Sequence, residues 1–223
     1  MRLGNTLFIH IPRTGGTHFE KLLGFEGHSS SPRCGSANYP VNHKEIMGWD
    51  RKLGVMLQHA TYSEMIKHDL YSPKEKLITV SIVRDPYQRT VSLFKYYGGH
   101  KKWKSFNNFL KTLSSSLCTR YFYYPQHEYL LHNDELAIKN LIRFEHYEED
   151  MKKFSDENDL NLEVTFNSGM QKEKTEKNLK KYYDNPEHAE IVEMVYARDF
   201  ELFGYPYLYS EWDTIAGAGD SWE

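Results

Sequence analysis

Two short stretches of this chain hold residue types suited to gripping an anion. In the first, Pro12-Arg13-Thr14-Gly15-Gly16-Thr17 follows the apolar run Leu7-Phe8-Ile9-His10-Ile11 and leads into a helical pattern at Phe19-Glu20-Lys21-Leu22-Leu23. A strand that turns through small residues into a helix N-terminus aims several backbone N–H groups, and the positive end of the helix dipole, at one point. Such a turn suits phosphate or sulfate. Gly15 and Gly16 let an anion approach the backbone closely, Thr14 and Thr17 add hydroxyl donors, and Arg13 adds a charged fork. The pattern differs from the G-x-x-x-x-G-K-[ST] loop of ordinary ATPases.

The second stretch is Arg84-Asp85-Pro86-Tyr87-Gln88-Arg89-Thr90-Val91-Ser92. Arg84 falls at the C-terminal end of a strand, where ligands bind in open α/β sheets. Ser92 falls two helical turns later, on a face able to return toward the same mouth. An arginine fork and a hydroxyl meeting at one point suit a terminal phosphate. A local Arg84–Asp85 ion pair beside a neutral helical serine would account for the same residues without any ligand.

The elements that must carry these residues alternate between strand and helix. A first strand spans Thr6–Ile11 and its helix Gly15–Leu23, followed by an irregular Gly-, Ser-, Pro- and His-rich excursion over Gly24–Asp50. Leu53–Gln58 is a short apolar strand and Ser63–His68 a helix. Lys76–Val83 is rich in β-branched residues, so it should be central and parallel, and Pro86 opens the next helix, which stops at Gly98-Gly99. A Lys-rich connection over Lys101–Ser116 holds one helix at Phe106–Leu113, and Thr119–Leu131 is aromatic and irregular. Asn140–Phe144 makes a fourth strand, Tyr147–Glu157 an amphipathic helix, Asn167–Thr175 a polar loop, and Glu176–Tyr183 and Pro186–Phe203 two closing helices. This order predicts an α/β fold, a three-layer sandwich around a mostly parallel sheet. One domain over 1–208 and a loosely ordered tail over 209–223 follow.

Bulk composition narrows the function classes. The 223 residues are 26% charged and 39% hydrophobic, ordinary for a folded domain that buries a full core. A net charge of −3 argues against general nucleic-acid binding. Cys34 and Cys118 stand far apart, without zinc or disulfide spacing, and read as free thiols. No apolar run approaches the ~20 residues that span a bilayer. The opening residues carry no signal-peptide pattern, so the chain as written reads as cytoplasmic, although a truncated luminal fragment would read the same way. Nothing in the sequence indicates an oligomeric state.

Taken together, the two anion-binding stretches resemble the sulfotransferase family. Ile11–Thr17 is similar to that family's 5′-phosphosulfate loop, and Arg84-Asp85-Pro86 with Ser92 to its 3′-phosphate site. Gln58-His59-Ala60-Thr61 resembles the His-Ala-Thr segment of the carbohydrate-type, heparan sulfate 2-O-sulfotransferase-like members. Arg143–Asp150 (Arg-Phe-Glu-His-Tyr-Glu-Glu-Asp) and Tyr196–Tyr205 (Tyr-Ala-Arg-Asp-Phe-Glu-Leu-Phe-Gly-Tyr) extend the likeness over residues 6–206. The resemblance implies a P-loop-like sulfotransferase fold and transfer of a sulfuryl group from 3′-phosphoadenosine 5′-phosphosulfate (PAPS) to an acceptor hydroxyl, on a glycan by the same likeness. The family's loop usually has Lys where this chain has Arg13, which keeps the charge but cannot give up a proton near neutral pH.

On that likeness Arg13, Thr14, Gly15, Gly16, Thr17 and His18 would hold the 5′-phosphosulfate. Arg84 and Ser92 would hold the 3′-phosphate, and Lys172 and Lys174 would close over the nucleotide. Arg13 would also meet charge on the leaving oxygen. His59 would be the general base, since an imidazole accepts an alcohol proton at neutral pH. Glu20 is a competing base, although its place one turn past the loop better fits an ordinary surface ion pair with a nearby lysine. His10 and His18 flank the loop and could simply be packed. Arg33, His43, Lys101, Lys102 and Lys104 could greet an anionic acceptor or be plain surface charge. The chemistry asks for no metal. A P-loop-like nucleoside or small-molecule kinase, and a nucleotide-binding module without turnover, stay open beside this reading.

Overall fold

The computed structural model describes residues 1–24, 41–115, 121–164 and 179–208. In chain order the strands are β1 (Arg2–Leu3), β2 (Thr6–Ile9), β3 (Trp49–Asp50), β4 (Val55–Met56), β5 (Ile78–Val83), β6 (Leu131–His132), β7 (Glu135–Leu136) and β8 (Asn140–Arg143). The helices are α1 (Gly16–Leu22), α2 (Tyr62–Lys67), α3 (Pro86–Tyr96), α4 (Gly99–Trp103), α5 (Phe106–Ser114), α6 (Gln126–Leu130), α7 (Tyr147–Glu157) and α8 (Pro186–Phe203). The fold is mixed α/β with a mostly parallel central sheet.

Contacts gather the chain into two compact units, one joining Met1–Arg84 to Gln126–Met170 and the other joining Asp85–Pro125 to Gln171–Glu223. The first unit holds the sheet, in the order β1-β2-β5-β8. β1 is antiparallel to β2, whereas β2, β5 and β8 run parallel, with Ile9 beside Ser81 and Val83 beside Arg143. β5 is central, as its β-branched sequence predicts, and five of its six residues are buried. Parallel strands covered on both faces select such continuous apolar runs. Phe8, Val80, Ile82 and Ile142 build the core with Phe19 of α1 and Tyr147, Met151 and Phe154 of α7. Ser81, fully buried in β5, gives its hydroxyl to the Ile9 carbonyl at 2.7 Å. That bond spares it the cost of an unpaired buried group.

The expected strand over Leu53–Gln58 is largely replaced. Only Val55–Met56 pairs, and with β3 rather than the main sheet. The next residues, Leu57–His59, form a 3₁₀ turn. Gly48 explains the break, since its carbonyl takes the Leu57 N–H at 2.9 Å and its own N–H goes to the Gln58 side chain at 3.3 Å. The ladder has no further backbone to pair. α2 then starts under a reciprocal Thr61–Glu64 capping box.

The second unit is helical. Asp85 caps α3 by accepting the Gln88 N–H at 2.8 Å, and Pro86 occupies the first turn, where a missing N–H costs nothing. Gly98, at φ 105°, ends that segment and starts α4, a short helix inside what reads in sequence as a plain Lys-rich connection. α8 packs on α3 and α5. The aromatic residues fill the space between, with Phe106 within 5.5 Å of both Tyr182 and Tyr183, and Tyr87 at 5.0 Å from Phe200. Of the expected helix Glu176–Tyr183, only the last residues are described. Lys172, Lys174, Arg33, both cysteines and the 209–223 tail lie outside the described residues.

Candidate active site

The turn after β2 is shaped by backbone geometry before any charge is considered. Arg13 and Gly15 both have left-handed φ, at 70° and 94°. Glycine reaches this region freely, whereas arginine is strained there. Thr14 is buried and spends its hydroxyl on the Ile11 carbonyl at 2.9 Å, so it braces the turn instead of facing a ligand. Gly15 and Gly16 are required by their neighbours. A Cβ on Gly15 would stand 2.9 Å from the Phe144 ring, and one on Gly16 only 2.3 Å from the His10 ring. The loop therefore rests directly on those two rings. Thr17 is exposed, and His18 lies with Nδ1 3.0 Å from the Tyr147 hydroxyl.

Arg84, at the end of β5, reaches this loop. Its Nη1 donates to the Arg13 carbonyl at 3.4 Å, and its guanidinium carbon lies 4.0 Å from the centre of the Phe144 ring. Phe144 thus supports Gly15 and Arg84 together, with cation–π attraction adding to the packing. The fully buried Gln126 clamps the Arg84 backbone from both sides, accepting its N–H at 2.9 Å and donating to its carbonyl at 2.8 Å. Arg13 of the first stretch and Arg84 of the second thus meet in the first unit. Ser92 lies on α3, in the second unit.

His59 sits beside the same loop. Its Nδ1 is 2.9 Å from the His10 carbonyl, and the two imidazole centres are 4.5 Å apart. A carbonyl can only accept, so Nδ1 carries the proton and Nε2 carries the lone pair in the neutral ring. Burial, with His10 nearby as a smaller cause, holds the His59 pKa well below its ordinary 6.5. Burial thereby keeps the His59 ring neutral near neutral pH.

Glu20 differs from the expected surface ion pair with a lysine. It is 3% exposed, and its Oε1 lies 2.5 Å from His10 Nδ1. Residues 16, 19 and 20 form the buried face of α1, so the carboxylate turns inward and meets the one polar ring of β2's end. Of the residues considered for an anionic acceptor, His43 is committed to Asp50 at 2.5 Å, and that contact is the main cause lowering the Asp50 pKa. Lys102 lies over the Trp103 ring at 4.5 Å. Sequence reasoning gave no role to Gln126, and it noted Phe144 only as part of a longer resemblance.

A model of the sulfotransferase family matches residues 5–206. The chain belongs to the sulfotransferase family. Searches of curated proteins and of solved structures give no significant match. Membership makes this sulfotransferase a transferase acting on sulfuryl groups, with a sulfate donor and an acceptor as its two substrates. Among the described residues no helix is long and apolar enough to cross a membrane, and no group of three or more His, Cys, Asp or Glu side chains could hold a metal ion.

Proposed function

We propose that this sulfotransferase moves a sulfuryl group from PAPS to an acceptor hydroxyl on a carbohydrate, with His59 as general base. One observation carries the reading: His59 is fixed by the carbonyl of His10, the residue whose ring also supports Gly16 of the anion loop. Base and loop share a single support, so the distance between them is set by the fold. The three-layer, P-loop-like form of the fold belongs to this reading too.

The bound donor supplies an electron-poor sulfur whose bond to the 5′-phosphate oxygen breaks as the acceptor oxygen bonds to it. His59 Nε2 takes the hydroxyl proton as that oxygen attacks. Arg13 and the loop amides of Gly16 and Thr17 meet the negative charge left on the departing phosphate. Arg13 keeps its proton throughout, so its part is electrostatic. Arg84 holds the 3′-phosphate at the far end of the nucleotide, and its seat on Phe144 and the Arg13 carbonyl leaves that guanidinium oriented before binding. Ser92, His18, Lys172 and Lys174 keep the nucleotide contacts that the family likeness gives them.

The test is transfer of labelled sulfate from PAPS to a panel of desulfated glycans in the presence of a chelator. Wild-type protein should label at least one glycan. His59→Ala should label none while binding adenosine 3′,5′-bisphosphate as tightly as wild type. Undiminished transfer by His59→Ala removes the base assignment. Preference for magnesium ADP over the bisphosphate removes the donor assignment in favour of a kinase, and tight bisphosphate binding without transfer to any acceptor leaves a binding module.

A further inference from the structure

The longest run of this chain without Asp or Glu lies between Asp85 and Glu128, and nearly all of it belongs to the second unit. It holds seven of the chain's 28 Lys and Arg residues. With a net charge of −3 overall, the remainder is strongly acidic. Charge segregated in this way points to a negatively charged partner.

The structure gathers part of that charge at one corner. α3 ends at Tyr96, Gly98 and Gly99 take left-handed φ of 105° and 50°, and α4 begins at once. The Lys104 N–H then closes on the His100 carbonyl at 3.0 Å. Phe94 turns inward, 5.1 Å from the His100 ring and 5.3 Å from Phe106, and Trp103 rests on Phe109 at 5.4 Å. These contacts occupy the apolar side, and Lys95, Tyr96, Lys101, Lys102 and Lys104 are left exposed. Lys101, Lys102 and Lys104 have no carboxylate partner among the described residues. Tyr96 is 62% exposed, a large ring in the same corner as four lysines. Residues 95–104 include none of the donor or base residues named above.

The residue types select among negatively charged partners. Arginine is favoured where single phosphate, sulfo or carboxylate groups are recognised, because its planar fork holds two oxygens at once. The one described arginine in this run, Arg89, is buried and gives its fork to the Tyr124 and Phe122 carbonyls, at 3.0 and 3.3 Å. The exposed cations of the corner are all lysines, hydrated point charges suited to a surface on which negative charge is spread. Tyr96 adds what charge alone lacks, an amphipathic ring that settles at the level of lipid headgroups. Lysines and an apolar contact together supply the two signals that stable attachment to a bilayer needs. The net negative charge of the whole chain argues against a nucleic acid in the same place.

We propose that this corner docks on the surface of an anionic lipid bilayer. Lys95, Lys101, Lys102 and Lys104 meet the headgroup charges, and Tyr96 enters the headgroup layer.

The experiment measures binding of the full chain to two kinds of vesicle, one of phosphatidylcholine and one in which about a third of the lipid is phosphatidylserine. Wild type should bind the anionic vesicles about tenfold or more tighter, and high salt should remove most of that difference. Two variants change exposed side chains only. Lys101→Glu with Lys104→Glu should lose about tenfold or more on anionic vesicles. Tyr96→Ser should lose about fivefold, because it removes the apolar contact and no charge. Both variants should keep the wild-type urea midpoint and affinity for adenosine 3′,5′-bisphosphate, which separates lost docking from lost fold. Equal binding to the two vesicles, or binding to neither, overturns the proposal on wild type alone. Wild-type affinity in Tyr96→Ser also overturns it, since any polyanion supplies the attraction that is left. Heparin or poly(U) bound more tightly than the anionic vesicles, and released by the lysine variant, overturns the lipid in favour of a polyanionic chain.

Discussion

His59 gives its Nδ1 proton to the carbonyl of His10 across 2.9 Å, and that bond decides which nitrogen can act as a base. The donor is on a 3₁₀ turn and the acceptor at the end of β2, so the tautomer is set by how β2 and the Leu57–His59 turn come together. Burial then keeps the ring neutral over a wider pH range than a histidine in water.

The first prediction concerns pH. Because the folded His59 pKa lies below 6.5, the acid limb of kcat should fall below pH 6.5, and the rate should be flat through neutrality. Stability follows the same direction. Between the folded pKa and 6.5 the unfolded chain binds more protons, so the His59 contribution is complete above pH 6.5 and is lost as pH falls below it, at up to ~1.4 kcal/mol per pH unit. Urea denaturation across pH 5–8 should show a shallower acid loss for His59→Gln than for wild type. Parallel curves would mean that His59 is not the buried neutral group described.

Gly16 links the loop to His59 through the His10 ring. Its replacement by alanine puts a methyl 2.3 Å from the His10 ring, which must move and carry its carbonyl with it. Overpacking of this kind costs about 1–3 kcal/mol. Gly16→Ala should therefore lose stability and turnover together, with the acid limb of kcat moving toward pH 6.5 as His59 loosens. Turnover equal to wild type at unchanged pH dependence would show that loop and base are not coupled through His10.

Glu20→Gln separates two roles for one carboxylate. As a base, Glu20 would be needed for turnover and dispensable for folding. As the buried partner of His10 it is needed for folding, and the amide should lower stability by about 1–3 kcal/mol. The expected result is a lower urea midpoint with turnover per folded molecule within about threefold of wild type, since the His59 bond is to the His10 backbone. Loss of turnover at unchanged stability would instead make Glu20 the base.

Much of this was legible in the residues. β5 shows its central place through Ile78–Val83, α3 announces its start with Pro86, and the bounds of α7 and α8 match the sequence pattern. The inward turn of Glu20 was partly visible, because it stands four residues after Gly16 and one after Phe19, on the helix's apolar stripe. Its partner was not, since His10 comes from a strand and pairing across elements has no local signature. His59 read as a strand end because Leu53–Gln58 is short and mostly apolar, and the bond from the Ala60 N–H to the Leu57 carbonyl reveals the 3₁₀ turn instead. Gln126 gave no signal at all: a polar residue after a proline looks like loop until its two bonds to Arg84 are seen.

Those two bonds give the last prediction. Arg84→Ala removes the guanidinium but keeps the backbone that Gln126 holds, so stability should change little. Affinity for adenosine 3′,5′-bisphosphate should fall by roughly 2–4 kcal/mol, as when one member of a desolvated charge pair is truncated. Gln126→Ala does the reverse chemistry: the side chain stays on Arg84, but its N–H and carbonyl lose their partners, at about 1–3 kcal/mol for each group left unsatisfied. That variant should therefore unfold at lower urea and bind the bisphosphate more weakly, because the guanidinium is no longer held over Phe144. A double variant should be no weaker in nucleotide affinity than Arg84→Ala alone, since the clamp acts on binding only through the residue it holds. Additive losses would mean that Gln126 meets the nucleotide itself, and unchanged affinity in Arg84→Ala would remove the 3′-phosphate assignment.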